Sequence, residues 1–345
     1  MAYKKKIYHA ANQFFVLLGR NIRVKTSDKM GIVIIISQAT IIAILIVFAF
    51  RGFQFDYKKA DRFTRISYYA TEEYDKHVEN GETTVIEDTL DEAKHWADRE
   101  LGFISGQSAQ RRGAILFIMA ASTIWFGIVN SCREIVSEKA ILNREIKAYL
   151  HIVSYLTAKV TTLAMISFMQ TGVLIAIIHY FLIPMENFLI TWFVLFLTAM
   201  AAASLGLLIS ATVKTEQASL MAVPILIIPQ LLFGGLIRPV KYLCDQFFGY
   251  LHISDFILQK WSFNALLIFN SMDGSVLTQK INTECDHYLD YVRFIPERII
   301  HVFFHQNVGE ISPGFFGHNI PLVIITLHAF IPLLLAYIWL KKTYS

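Results

Sequence analysis

His301 and His305 stand four apart in ERIIHVFFHQN with Glu297 one turn earlier, so a helix there would put three metal-capable groups on one face. The set has no fourth ligand. The plainer reading is an amphipathic helix near an interface, holding no metal. Cys244 and Cys285 could close a loop of about 40 residues by a disulfide on an oxidising side, or remain two free thiols. Cys132 stands apart at the end of an apolar run. No G-x-x-x-x-G-K-[ST], H-E-x-x-H, C-x-x-C or G-x-S-x-G occurs, so the common nucleotide, zinc, redox and serine-nucleophile signatures are missing and no catalytic residue is expected.

The densest constellation is CREIVSEKAILNREIKAYLHIVSYLTAK. Arg133, Glu134, Glu138, Lys139, Arg144, Glu145 and Lys147 alternate in sign at helical spacing, with Ile141, Leu142 and Ile146 between them. Charges arranged this way set register and partner choice while the apolar residues supply buried contact, as a docking surface needs. The alternative is a solvated connection held by its own i,i+4 pairs.

What positions this stretch follows from composition. Of 345 residues, 55% are hydrophobic and the mean hydropathy is +0.48. Only 17% are charged, against an ordinary share of about 25%. The balance points to an integral membrane protein. A net charge of +4 from 31 basic and 27 acidic residues offers no polybasic body for nucleic acid. The first thirty residues lack the compact apolar core and small-residue cleavage site of a signal peptide.

A helix needs about 20 apolar residues to cross a bilayer. Six runs qualify: 31–50, 113–131, 154–182, 189–213, 218–237 and one within 320–345. Lys159 and His179 lie near the ends of the third, from where a polar head could reach the interface. Basic residues of the short segments, from Lys4 to Lys29, Arg133 to Lys147, Lys214, Lys341 and Lys342, gather on one side. That side, with both termini, is predicted to be cytoplasmic. The expected class is an all-α protein with six transmembrane helices, a cytoplasmic hairpin at 132–153 and two external segments, 51–112 and 238–319.

Within 1–30, residues 11–25 put Phe14, Leu18 and Ile22 on one helical face, which suits an amphipathic helix on the inner membrane surface or an ordinary solvated segment. Segment 51–112 is acidic and reads as a solvated loop or a small docking cap. Segment 238–319 is aromatic and broken by Pro239, Pro296 and Pro313, and much of it is too apolar for a free loop.

The hairpin resembles the first cytoplasmic loop in the permease half of G-subfamily ABC transporters, the type-2 exporter class. That loop reads E-[KR]-x-x-[FL]-x-[RH]-E, then a tyrosine and Y-x-x-[AG]-K. The matching positions are Glu138, Lys139, Leu142, Arg144, Glu145, Tyr149, Tyr155, Ala158 and Lys159. Gln13 to Arg20 running into Asp28 is similar to the family's connecting helix, and Gln38 to a polar residue of its first span. Ala218, Pro224 and Phe233 to Ile237 resemble the end of its fifth span, and Trp261, Phe263, Ala265 and Leu266 its re-entrant outer segment.

The resemblance covers 11–50, 113–270 and the last span, and implies a permease without enzymatic activity of its own. By it, Arg133, Glu134, Glu138, Lys139, Arg144, Glu145 and Tyr149 couple to an ABC ATPase subunit that binds the ATP and Mg. Paired permeases, as homo- or heterodimer in a plasma or bacterial inner membrane, enclose a cavity reached by Gln38, Phe126, Pro224 and Phe233 beneath a plug of Leu236 and Ile237. An amphipathic or lipid-like substrate is implied. The chain departs from the family in the insertion at 51–112 and in carrying no ATPase. Two rivals are a scaffold that docks envelope or secretion components through 51–112, and a metalloenzyme built on His301 and His305.

Overall fold

The computed structural model describes residues 2–51, 111–182, 185, 187–236, 253–271 and 315–344. Among these it is helical with no strand, as a chain must be when its backbone groups are satisfied within each segment in lipid. Helix α1 (Ala2–Ser27) meets α2 (Lys29–Ala49) at Asp28, whose carboxylate accepts from the Gly31 amide at 2.9 Å and caps α2. Residues 111–131 form α3. A turn and a short 3-10 segment (Val136–Glu138) lead into α4 (Lys139–Lys147). Then come α5 (Ile152–Phe181), α6 (Phe188–Thr212), α7 (Glu216–Leu232), α8 (Leu258–Ser271) and α9 (Phe315–Tyr344).

The stretches containing α2, α3, α5, α6 and α9 are long and apolar enough to cross a membrane, which makes this a multi-pass membrane protein. Helix α7 is shorter, with 17 residues. At 1.5 Å per residue it reaches about 26 Å, less than the bilayer core. It stops at Leu232, before the end of the apolar run, because two glycines follow Phe233. Gly235 sits at φ 97°, a conformation that L side chains avoid. A Cβ on Gly234 would lie 2.4 Å from Gln259 Cγ, so the backbone here runs hard against α8.

Small residues set the central crossing. A Cβ on Gly127 of α3 would lie 2.3 Å from the Ala199 carbonyl of α6, and one on Gly206 would lie 2.9 Å from the Ile128 carbonyl. The two backbones therefore touch directly, the close approach that small residues permit in membranes. Polar ties add to it. Gln170 of α5 donates to the Ile35 carbonyl of α2 at 2.8 Å and accepts from Asn130 of α3 at 2.6 Å. Thr198 and Ser262 join α6 to α8 at 2.8 Å. By contrast, α2 and α9 bury little of themselves, leaving Ile44, Phe48, Phe330 and Leu334 outward for a bilayer to cover.

At one end of the bundle, Leu17 of α1, Leu142 of α4, Tyr155 of α5, Leu207 of α6 and Leu340 of α9 form a separate apolar cluster. Both ends of the chain thus come to the hairpin. Phe14 and Leu18 pack onto this cluster, so the apolar stripe of α1 is spent mainly on protein, while Phe15 and Val16 point outward.

The insertion from 52 to 110, Ile237, Cys244, Cys285, His301 and His305 lie outside the described residues.

Candidate functional site

The charged hairpin is fastened on every side. Its first turn is held by Ser210 near the end of α6, whose hydroxyl accepts from the Ile135 and Val136 amides at 2.9 and 3.0 Å. The Ser219 hydroxyl of α7 donates to the Cys132 carbonyl. Lys139 donates to the Val213 carbonyl and lies 5.3 Å from the centre of the Trp339 ring, so α9 is tied in as well. These bonds satisfy backbone groups that the chain exposes where it leaves α3 and α6.

The far end of the hairpin closes as a Schellman turn. The Leu150 amide donates to the Glu145 carbonyl and the Tyr149 amide to the Ile146 carbonyl, each at 3.1 Å. The left-handed position of such a turn normally takes glycine, yet Tyr149 holds it here at φ 67°. Gln13 of α1 grips this turn from both sides. Its amide nitrogen donates to the Tyr149 carbonyl at 3.2 Å and its oxygen accepts from the His151 amide at 3.0 Å.

Inside lies a cluster of four charges. Lys159 of α5 is 3% exposed and sits 3.0 Å from Glu134 and 2.9 Å from Glu138. The Lys25 ammonium of α1 pairs with the other Glu134 oxygen. Arg20 pairs with Glu145 about two turns further along α4, and the Tyr155 hydroxyl donates to Glu138 at 3.3 Å. Burial pushes the Glu134 carboxyl upward, but Lys159 and Lys25 outweigh it and hold the group below the usual carboxylate value. With two carboxylates facing two ammonium groups, the cluster is neutral as a unit. Three elements share it, so α1, the hairpin and α5 cannot move apart without exposing a buried charge.

The family profile for ABC-2 type transporters matches residues 12–269, which takes in α1 from residue 12 onward, the hairpin and every described helix through most of α8. This chain belongs to the ABC-2 type transporter family. A search of curated proteins found no match. Members of this family are transport subunits and not themselves enzymes.

In this ABC-2 chain the hairpin charges are sorted by sign. Glu134, Glu138 and Glu145 all turn into ion pairs. Arg133, Arg144 and Lys147 are exposed, as is Tyr149. Alternation along the sequence gives no hint of that sorting. Lys159, expected to reach toward the interface, is instead buried beneath the hairpin. The other positions are spread out. Gln38 is half-buried on α2 and Pro224 exposed on α7. Phe233 is the half-buried cap of α7, and Leu236 packs against the main core. Phe126 is wholly buried among the α3 core residues, with no surface in the single chain, whereas its neighbour Trp125 is exposed. Gln13, Lys25, Lys159 and Ser210 complete the site. Gln13 and Lys159 were marked by the family resemblance, and a lysine inside an apolar run demands a partner, whereas nothing in the sequence tied Lys25 or Ser210 to the hairpin.

Proposed function

We propose that this chain is the membrane-spanning permease of an ATP-driven exporter of the G-subfamily kind, moving an amphipathic or lipid-like substrate through a cavity shared with a second permease. A separate ABC ATPase subunit supplies the hydrolysis. The hairpin, α1 and both termini lie on the cytoplasmic side. The observation that carries this reading is Lys159, which locks Glu134 and Glu138 of the hairpin to the α5 span. Force applied to a loop reaches a span only through a contact too costly to break, and a buried ion pair is one. The substrate class rests on the same residue: the Lys159 charge within α5 is already neutralised, so it is not free for an ionic substrate.

The test is to purify the chain with its ABC ATPase, reconstitute both, and follow ATP-dependent movement of a fluorescent phospholipid analogue. The triple variant Lys159→Met with Glu134→Gln and Glu138→Gln, which removes the ion cluster without leaving a carboxylate stranded, should leave the complex assembled, with hydrolysis continuing but movement lost. Equal movement without ATP, or a wild-type chain that assembles with no ATPase, would overturn the reading.

A further inference from the structure

A second ion pair lies far from the hairpin, where α8 begins. The Lys260 ammonium pairs with the Asp255 carboxylate, the lysine side chain 8% and the aspartate 29% exposed. Two contacts fix its depth. Nε2 of His328, at the middle of α9, is 3.3 Å from the Phe256 carbonyl. Ser262 bonds Thr198, which is about 21 Å along α6 from the Thr212 end beside the hairpin. The pair is therefore held within the thickness of the hydrocarbon core and not at its surface.

Charges at that depth are costly and mark substrate paths more often than struts. A strut is not needed here. The Gln259 amide donates to Gln230 at 2.9 Å and the Trp261 indole to the Asp255 carbonyl at 2.8 Å, which already fix the start of α8. Nor is the corner sealed in. Phe256 is 69% exposed, and Ile331, one turn from His328 on the same face of α9, is exposed as well. One further group points to a ligand. Asn264 stands one turn beyond Lys260 on the same face of α8 and is 3% exposed, yet its amide oxygen meets no donor among the described residues. A buried acceptor without a donor is destabilising, and a ligand that brings a donor relieves it.

We infer that the corner of Asp255, Lys260 and Asn264 is a headgroup site, taking a lipid that carries one phosphate and one primary ammonium. This rests on the permease reading above and narrows its substrate class. An ion pair offers one charge of each sign. A zwitterionic headgroup exchanges with it, phosphate to Lys260 and ammonium to Asp255, so that no charge is left alone in a low dielectric. A headgroup of net charge would strand one. The ammonium also suits the face of Trp261, whose ring centre is 4.8 Å from the Lys260 ammonium. Its N–H groups supply a donor to Asn264, which a quaternary ammonium could not.

The experiment reconstitutes the full chain with its ABC ATPase in vesicles of equal parts phosphatidylethanolamine and phosphatidylglycerol. It compares ATP-dependent movement of fluorescent analogues bearing either headgroup. Wild type should move the ethanolamine analogue at least about tenfold faster. Asn264→Leu removes an acceptor that makes no bond, so it should melt no lower than wild type while moving that analogue about tenfold more slowly. Asp255→Lys with Lys260→Asp keeps an ion pair but reverses it, and should fold yet lose the preference. No movement of either analogue by wild type, or equal rates for the two, overturns this inference and leaves the permease reading standing. So do wild-type rates in Asn264→Leu or a wild-type preference in the folded reversal. If the reversal does not fold, Asn264→Leu decides alone. A wild-type chain that assembles with no ABC ATPase overturns the permease reading and this inference with it.

Discussion

Lys159 on α5 is held 3.0 Å from Glu134, a residue that the chain placed 25 positions earlier, where it leaves α3. The pair joins the entry of the hairpin to the span that follows it. Lys25 and Glu138 complete the group, and removal of Lys159, its most deeply buried member, leaves the two carboxylates with Lys25 alone.

Lys159→Met should therefore destabilise the fold by about 3–5 kcal/mol, the cost of stranding a buried partner. Thermal unfolding of the detergent-solubilised chain measures it. Neutralising the acids as well, in Lys159→Met with Glu134→Gln and Glu138→Gln, should recover most of the loss, since the one charge left unpaired, Lys25, is over a third exposed and reaches water. A triple variant as unstable as the single one would contradict the cluster as drawn.

The cluster also predicts an acid limit. Lys159 and Lys25 lower the Glu134 value in the fold relative to its ordinary 4.5. A depressed carboxylate contributes stability that is fully present above its unfolded value and is lost as pH falls through the lowered one. Melting temperature should hold as pH descends to the ordinary glutamate range and drop below it. Glu134→Gln should flatten that drop, and an unchanged acid limb in the variant would speak against it.

Gly127→Ala tests the α3 and α6 crossing. The new methyl would meet a backbone carbonyl at 2.3 Å, which no side-chain rotation can relieve. A loss of about 1–3 kcal/mol is expected from the forced shift. Gly19, with open space around it, is the matched control and should tolerate alanine with little change.

Gln170 ties α2 and α3 to α5 in one side chain. Replacement by leucine should cost about 1 kcal/mol, the usual size of a polar tie between membrane helices. Because α2 buries so little of itself, the larger effect should be on that helix alone. Hydrogen exchange of α2 amides should speed up while α6 amides stay protected.

Much of this was legible beforehand. Apolar runs of about 20 residues point to membrane crossing, though the run at 218–237 yields a helix of only 17 residues, and the Glu138 to Lys159 pattern marked the hairpin and its family before any coordinates. The sorting of the hairpin was not legible, because Glu134 and Arg133 look equivalent until α1 and α5 close over one of them. Ser210 was invisible for a similar reason: a serine near a helix end signals nothing until two amides from residue 135 onward arrive beside it. Phe126 is buried in the core of the single chain, a placement that the sequence could not give because packing against neighbouring helices decides which way a ring faces.

The central claim is that the ion cluster carries motion from a nucleotide-driven partner to the spans. The direct measurement is the distance between spin labels at Ile44 on α2 and Phe330 on α9, both exposed, in a chain free of native cysteines and bound to its ABC ATPase. Adding ATP should change that distance in the wild-type background. In the triple variant Lys159→Met, Glu134→Gln and Glu138→Gln, the change should vanish while the ATPase stays bound and still takes up nucleotide. A distance that responds to ATP equally in both backgrounds would contradict the account.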